Sequence, residues 1–395
     1  MTKFLCTADL HIGRKCSGFE EESPLKTFDG LVDVAIADGA DAMLIAGDLF
    51  EDTSAQYATR GGVKRILERM KKENIPVLAV SGNHDWEALA IFNKLNPGLI
   101  DVFSSEHWET KTVAGIQIVG RSFSRERSGS LMNDYPGFGP QLTIGLVHAD
   151  IDVQNSPYNP TPVASLTGRG VSAWLVGHIH VPKHWPEARV SYPGSLQALD
   201  PAEQGVHGFR WLEITGNHVQ FSDVVPLSTV RYETVELTIR PGDLIDDLVK
   251  QWAGSNRSSR EQFHLRVRLK HMNRALLSVS QNLVDCDSDR YEIIDCYEGM
   301  DENIDLVAEA TATDARGQAA RLLLGLDGIG DDAWIENARQ MVATVESEMQ
   351  SARSQIGVLD GEAFRILTEV PDAEARNAVR SALEGVMATP LGGSR

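Results

Sequence analysis

Carboxylate, amide and imidazole side chains recur in this sequence directly after short apolar runs. Such groups are poor core residues, because a buried polar side chain costs free energy unless it is hydrogen-bonded. Open α/β folds place ligands at the carboxyl ends of their strands, and mixed imidazole and carboxylate ligands suit Mn, Fe or Zn better than Mg or Ca. The pattern therefore predicts a metal site, with these candidate ligands: Asp9, His11, Asp48, Asn83, His148, His178 and His180.

Seven ligands are too many for one cation that must keep a position open for substrate. They suffice for two cations that share a carboxylate and lie about 3.5–4 Å apart. Such a pair lowers the pKa of a water and neutralises the oxygens of a phosphate under attack. His84, next to Asn83, is our candidate for the histidine that stabilises or protonates the leaving oxygen.

The spacing within two of the motifs suggests how the ligands converge. Asp9 and His11 are two residues apart, and so are His178 and His180. On an extended strand end, side chains two residues apart point the same way. We therefore expect each pair to approach one metal centre from an extended backbone. One such histidine alone is more often a hydrogen-bonded core residue, but the complete set in this order favours the metal site.

The elements around these residues alternate between strand and helix. Apolar runs at residues 3–8, 42–46 and 75–80 predict buried strands, the last within a parallel sheet. Between the first two, Ser23 is a plausible N-cap and Pro24 the first residue of a helix. This alternation predicts a layered α/β domain.

The predicted elements are different in the rest of the chain. Short strands follow, and the runs at 209–214 and 218–221 predict a hairpin across Gly216 and Asn217. We expect a first domain at residues 1–227. An α+β unit is expected at 228–300 and an acidic helical region at 301–395.

The charge balance bears on the substrate. The formal net charge is −19, whereas proteins that bind nucleic acid usually present a basic surface. The row Arg266, Arg268 and Lys270 is either a solvated strand face or a DNA contact. Other basic residues lie near the motif loops and are candidates for substrate contact: Arg14, Arg60, Arg121, Arg125 and Lys183.

The apolar runs are too short for a membrane-spanning helix, which needs about 20 residues. Asp9 and His11 interrupt the first apolar stretch before a secretory h-region forms. The sequence therefore predicts a cytoplasmic protein with no membrane association.

Five motifs resemble those of the calcineurin-like metallophosphoesterases. They are Asp9-Leu10-His11, Gly47-Asp48-Leu49-Phe50, Gly82-Asn83-His84-Asp85, His148 and Gly177-His178-Ile179-His180. A later stretch resembles the DNA-repair exonuclease branch of this family, of SbcD and YhaO type. It reads Tyr192-Pro193-Gly194-Ser195-Leu196, followed by Gly208-Phe209.

The resemblance implies a fold, an activity and a set of residue roles. It implies a four-layer α/β/β/α sandwich with a small α+β capping domain and a helical C-terminal region. It implies a phosphodiesterase that acts on DNA ends with two divalent ions, usually Mn²⁺. The catalytic histidine would be His84, and Asp48 would bridge the ions. The first ion would be held by Asp9, His11 and His180, and the second by Asn83, His148 and His178.

The resemblance also implies partners, namely a second copy in a homodimer and an SMC-like coiled-coil ATPase of SbcC type. Two other functions stay open on the residues alone. One is a phosphodiesterase of a small nucleotide, against which the additional α+β unit argues. The other is a non-catalytic scaffold for the ATPase, against which the intact ligand set argues.

Overall fold

The computed structural model describes residues 1–14, 24–124, 130–137, 139, 141–239, 243–257, 262–271, 284–298, 311 and 320–321. The chain divides into two compact units. The first comprises Met1–Glu233, Ala253–Leu265 and Asp287–Arg290, and the second Thr234–Trp252, Arg266–Cys286 and Tyr291–Arg395. The expected division at residues 227 and 300 stays a prediction, and the helical region at 301–395 lies almost entirely outside the described residues.

A seven-stranded sheet forms the centre of the first unit. Its order is β12-β11-β1-β2-β3-β4, with β13 paired to β11. The strands are β1 (Thr2–Thr7), β2 (Ala42–Ala46), β3 (Val77–Val80), β4 (Asp101–Val102), β11 (Gly208–Thr215), β12 (His218–Phe221) and β13 (Val225–Pro226). Strands β1 to β4 run parallel, and β11 and β12 form an antiparallel hairpin. The predicted parallel sheet and hairpin are confirmed.

Three helices cover one face of this sheet: α1 (Pro24–Ala37), α2 (Thr53–Lys72) and α3 (Trp86–Leu95). Helix α1 begins at Pro24, as predicted, and the predicted N-cap Ser23 lies outside the described residues. Helix α2 is capped by Asp52, whose side chain accepts a hydrogen bond from Ala55 N at 2.7 Å. Phe28, Val63 and Phe92 from the three helices join one buried cluster with alternate residues of the strands.

A six-stranded sheet packs against the other face, in the order β5-β6-β7-β8-β10-β9. Its strands are β5 (Glu109–Val113), β6 (Ile116–Arg121), β7 (Thr143–His148), β8 (Ala173–Gly177), β9 (Lys183–Trp185) and β10 (Val190–Tyr192). Phe4 and Leu44 of the first sheet share a buried cluster with Ile144 and Leu175 of the second. The two sheets therefore form the two central layers.

Short helical segments cover the outer face of the second sheet. A 3₁₀ helix (Leu131–Asp134) and α4 (Val163–Leu166) contribute Leu131 and Leu166 to a buried cluster around Trp174. The layers are thus helix, sheet, sheet and helix, and the expected four-layer α/β/β/α sandwich is confirmed.

The other elements formed by the described residues include β14 (Val230–Ile239), α5 (Ile245–Asn256), β15 (Gln262–His271), β16 (Val284–Cys286) and β17 (Asp289–Glu298). The strands form a four-stranded sheet in the order β14-β15-β17-β16. In β15, Phe263, Leu265 and Val267 are buried, and so is His264, whereas Arg268 faces outward. None of the helices formed by the described residues has the length and apolar character needed to cross a membrane.

Candidate metal centre

The predicted ligands meet where the strands of both sheets end, but four of them do not have an extended backbone. Asp9, His11, Asp48 and His178 all have positive φ angles, of 50°, 45°, 52° and 110°. The expectation that each pair of ligands approaches one metal centre from an extended backbone is therefore wrong. Non-glycine residues rarely adopt this conformation, which costs about 1–3 kcal/mol per residue and clusters at functional sites.

Backbone hydrogen bonds lock the first two motif loops together. Asp9 N donates to Gly47 O at 3.0 Å, and His11 N donates to Asp48 O at 2.9 Å. Asp85 joins the third motif to the second, because its carboxylate accepts from Gly82 N and from Leu49 N, both at 2.8 Å. Burial, with Asp48 nearby, raises the pKa of Asp85 to about 7.

The first group of ligands, which we term the Asp9 position, consists of Asp9, His11 and His180. The Nε2 atoms of the two histidines lie 3.0 Å apart. On the far side of each ring, His11 Nδ1 lies 2.7 Å from a Glu51 oxygen, and His180 Nδ1 lies 2.6 Å from a Glu203 oxygen. Because an ionised carboxylate only accepts, each Nδ1 carries a proton, and the two Nε2 atoms are the ring nitrogens that can bind a cation. A cation between them satisfies both.

The second group, the Asn83 position, consists of Asn83, His148 and His178. Asn83 Oδ1 lies 2.9 Å from His148 Nε2 and 2.9 Å from His178 Nδ1. His148 Nδ1 donates to the Ala46 carbonyl at 2.9 Å, which leaves its Nε2 as an acceptor. Burial, then the neighbouring His148, lowers the pKa of His178 to about 4. This position therefore also gathers acceptors, as a metal requires.

Asp48 lies between the two positions. Its Oδ2 atom is 3.4 Å from His148 Nε2 and 3.8 Å from His11 Nε2. Burial raises the pKa of Asp9. For Asp48, burial opposes ionisation, but His148 and His11 outweigh it and the pKa is lowered. A buried carboxylate needs a compensating cation, so the residues present fit a pair of divalent ions that share Asp48.

His84 lies beside the Asp9 position and is open to solvent. Its ring centroid is 4.8 Å from that of His11, and its Nδ1 atom is 3.3 Å from the Glu51 carbonyl. Its backbone N donates to Asp48 Oδ1 at 2.9 Å. An exposed imidazole next to buried ligands is well placed to meet a substrate.

The Tyr-Pro-Gly-Ser stretch supports His180. Ser195 N donates to the His180 carbonyl at 2.8 Å, and Ser195 Oγ donates to Glu203 at 2.9 Å. Gly194 has a φ of +81°, and a side chain there would collide with the His180 carbonyl. Burial opposes a charge on His180, but Glu203 and then Asp9 outweigh it and raise its pKa to about 9.

Tyr192 of the same stretch supports the loop after His148. Its hydroxyl donates to Ala149 O at 2.6 Å and accepts from Ile151 N at 2.8 Å. The stretch therefore holds loops that carry two predicted ligands, which gives it a structural reason beyond resemblance.

Sequence reasoning missed three supporting carboxylates. Glu51 directly follows Phe50 of the second motif, and this adjacency was the available signal. Asp150, whose Oδ1 lies 3.4 Å from His178 Nε2, follows His148 by two residues. Glu203 carries no local signal, because it is not adjacent to any of the five motifs.

The basic residues predicted to contact substrate lie in different environments. Arg121 is only 5% exposed, and its guanidinium pairs with Asp134 and donates to Glu106 O at 2.6 Å. Arg125 lies outside the described residues. Substrate contact by all five residues stays a prediction, and three reach solvent: Arg14, Arg60 and Lys183.

Comparisons with known proteins agree with this site. Residues 2–182 match the family model of the calcineurin-like phosphoesterases. This stretch contains every predicted ligand and His84. The chain therefore carries a calcineurin-like metallophosphoesterase domain.

Curated relatives match about half of the chain. The uncharacterized metallophosphoesterase YhaO of Bacillus subtilis is 25% identical over 244 residues, which is 55% of this chain and 59% of that protein. The DNA double-strand break repair protein Mre11 of Archaeoglobus fulgidus is 28% identical over 234 residues, 51% of each chain. The chain thus spans between about half and three-fifths of the length of these relatives.

Among solved structures, the protein TT1561 of Thermus thermophilus is similar at 16% identity and a TM-score of 0.36. The similarity covers 57% of this chain and 99% of that one. A TM-score of this size carries no argument about function.

Proposed function

We propose that this protein is a metal-dependent phosphodiesterase that cleaves DNA as an exonuclease, with endonuclease capability, in DNA repair. The observation that carries the proposal is the pair of acceptor groups on either side of Asp48, with His84 exposed beside them. The similarity to a DNA double-strand break repair protein supports DNA as the substrate.

Each residue has a role in this proposal. Asp9, His11 and His180 would hold one cation, and Asn83, His148 and His178 would hold the other; Asp48 would contribute to both positions. Two divalent cations, most suitably Mn²⁺ for this donor set, would supply charge that neutralises the phosphate oxygens and acidifies an attacking water. His84 donates a proton or a hydrogen bond to the leaving oxygen.

Partners form a second part of the proposal. We expect a homodimer and an SMC-like coiled-coil ATPase of SbcC type, with the second compact unit contributing to DNA contact. The outward-facing Arg268 on β15 supports that contact. The neighbouring Arg266 lies 3.2 Å from Glu292, which reduces its positive charge toward a ligand.

The net charge of −19 favours one alternative substrate, a small nucleotide diester, because an acidic protein repels a long polyanion more than a short one. End-labelled duplex DNA and bis(p-nitrophenyl) phosphate separate the two substrates. With Mn²⁺ at low salt we expect a digestion ladder from the duplex. Turnover of the aryl diester alone would exclude DNA as the substrate and leave the alternative.

A further inference from the structure

The two metal positions differ in what supports their histidines. At the Asp9 position both supports are carboxylates in short contact: Glu51 with His11 at 2.7 Å and Glu203 with His180 at 2.6 Å. At the Asn83 position the support of His148 is a neutral carbonyl at 2.9 Å. His178 has Asp150 at the longer distance of 3.4 Å, and Asp150 also accepts from Ser156.

Of these supporting groups, Glu203 is held in place by the most hydrogen bonds. It is 6% exposed and accepts from His180 Nδ1, from Ser195 Oγ at 2.9 Å and from Leu199 N at 3.0 Å. A carboxylate that accepts several hydrogen bonds is stabilised in its charged form. Its rotamer is therefore fixed and its negative charge lies directly behind the His180 ring.

A carboxylate behind a metal-binding histidine acts in two ways. It fixes the tautomer and raises the basicity of the opposite nitrogen, and removal of such a partner typically costs about 10–100-fold in metal affinity. It also adds negative charge near the cation in a poorly hydrated region, where Coulomb energies are large. The Asp9 position has two such short contacts and the Asn83 position has none.

We infer that the two positions bind their cations in order, the Asp9 position with the higher affinity. Glu203 is the positioning residue that sets much of this difference in affinity through His180. The inference rests on the proposed two-metal site and adds an asymmetry to it. At limiting metal the protein holds one cation at the Asp9 position, and hydrolysis requires the second.

Calorimetric titration of the metal-free full chain with MnCl₂ tests this order. For the unsubstituted protein we expect two steps separated by about tenfold or more. Glu203→Gln removes the charge but keeps the shape, so the tighter step weakens by about 10–100-fold and the other is unchanged. Asp150→Asn is the matched control, because the same change at the other position weakens only the second step.

Anomalous diffraction from crystals loaded with one equivalent of Mn²⁺ shows which position fills first. We expect the signal at the Asp9 position in the unsubstituted protein and at the Asn83 position in Glu203→Gln. Ser195→Ala is a second variant in case Glu203→Gln does not fold. It removes one hydrogen bond to Glu203 while keeping the charge, and should weaken the tighter step by a smaller factor.

Different failures identify different errors. A first equivalent at the Asn83 position overturns the inference, as do equal weakening of both steps by Glu203→Gln and two steps of equal affinity. These results leave the two-metal function intact. A protein that binds no Mn²⁺ at all contradicts the proposed function as well.

Discussion

The two sheets contribute to the metal centre in different ways. At the edge of the first sheet, support for the ligands lies within the motif loops themselves: Glu51 follows the Asp48 motif, and Asp85 is part of the Asn83 motif. At the edge of the second sheet, support comes from residues outside the motifs. The contact of His180 with Glu203 spans 23 residues, and that of His148 with Ala46 spans 102.

The difference lies in whether the support belongs to a motif and not in sequence separation, because the contacts of His11 with Glu51 and of Leu49 with Asp85 also span 40 and 36 residues. At the first edge the motif loops hold one another by hydrogen bonds, whereas the second edge also needs residues outside the motifs, such as Glu203. We therefore expect substitutions of site residues at the first edge to reduce the rate of cleavage most. Substitutions among the supports of the second edge should act on metal affinity and stability.

Loss of the shared carboxylate should have the largest effect. Asp48→Asn removes the negative charge between the two positions, and metal charge is worth several kcal/mol to phosphoryl transfer. At about 1.36 kcal/mol per tenfold, we expect cleavage of labelled duplex to fall by at least about 10³-fold. The bound metal should fall below two ions per chain.

Asp101→Asn is the matched control for this change. Asp101 is an exposed carboxylate that pairs with Lys111, and its substitution should leave both quantities unchanged. Full activity in Asp48→Asn would remove the shared ligand from the proposal.

Loss of His84 should have the next largest effect, and a purely chemical one. His84→Ala removes an exposed side chain that is not among the proposed ligands, so metal content and melting temperature should not change. The rate should fall by about 10²–10⁴-fold, as for loss of a general acid. Single-turnover kinetics at saturating Mn²⁺ measure this fall.

His107→Ala provides the control, because His107 is also exposed, and pairs with Glu109 away from the metal positions. If His84→Ala turned over as fast as His107→Ala, the leaving-group role would be wrong. If it instead lost metal, His84 would be a ligand.

The smallest effect should come from a long-range support. Tyr192→Phe removes the hydroxyl that bonds Ala149 O and Ile151 N, and leaving a buried N–H unsatisfied costs about 1–3 kcal/mol. We expect this loss in the free energy of unfolding, measured by urea denaturation, with a modest fall in metal affinity. Tyr57→Phe, at an exposed helical position, should change stability by less than about 0.5 kcal/mol. Equal stability of the two variants would contradict the structural role of Tyr192.

Sequence patterns predicted the elements that are long and apolar. The runs that became β1, β2 and β3, and the hairpin of β11 and β12, were identifiable because buried strands leave continuous apolar segments. Strands β9 (Lys183–Trp185) and β10 (Val190–Tyr192) were not predicted. Three-residue strands carry no periodicity, and tertiary pairing alone defines them.

The site was predictable in its members but not in its geometry. The types and order of the ligands identified them, yet Asp9 and His11 adopt left-handed conformations that spacing alone did not indicate. Glu203 was not predictable, because its role depends on a fold that brings it to His180. The residue type determines which ligand atoms a side chain offers, whereas the orientation of each histidine is set by its partner across the fold.

The central claim is that two cations, held where both sheets end, enable the cleavage. The most direct measurement is elemental analysis of catalytically active protein, combined with EDTA treatment and restoration by Mn²⁺. We predict two transition-metal ions per chain, loss of cleavage on chelation and recovery on addition of Mn²⁺. Active protein without a bound transition ion, or cleavage that EDTA leaves unchanged, would contradict the account.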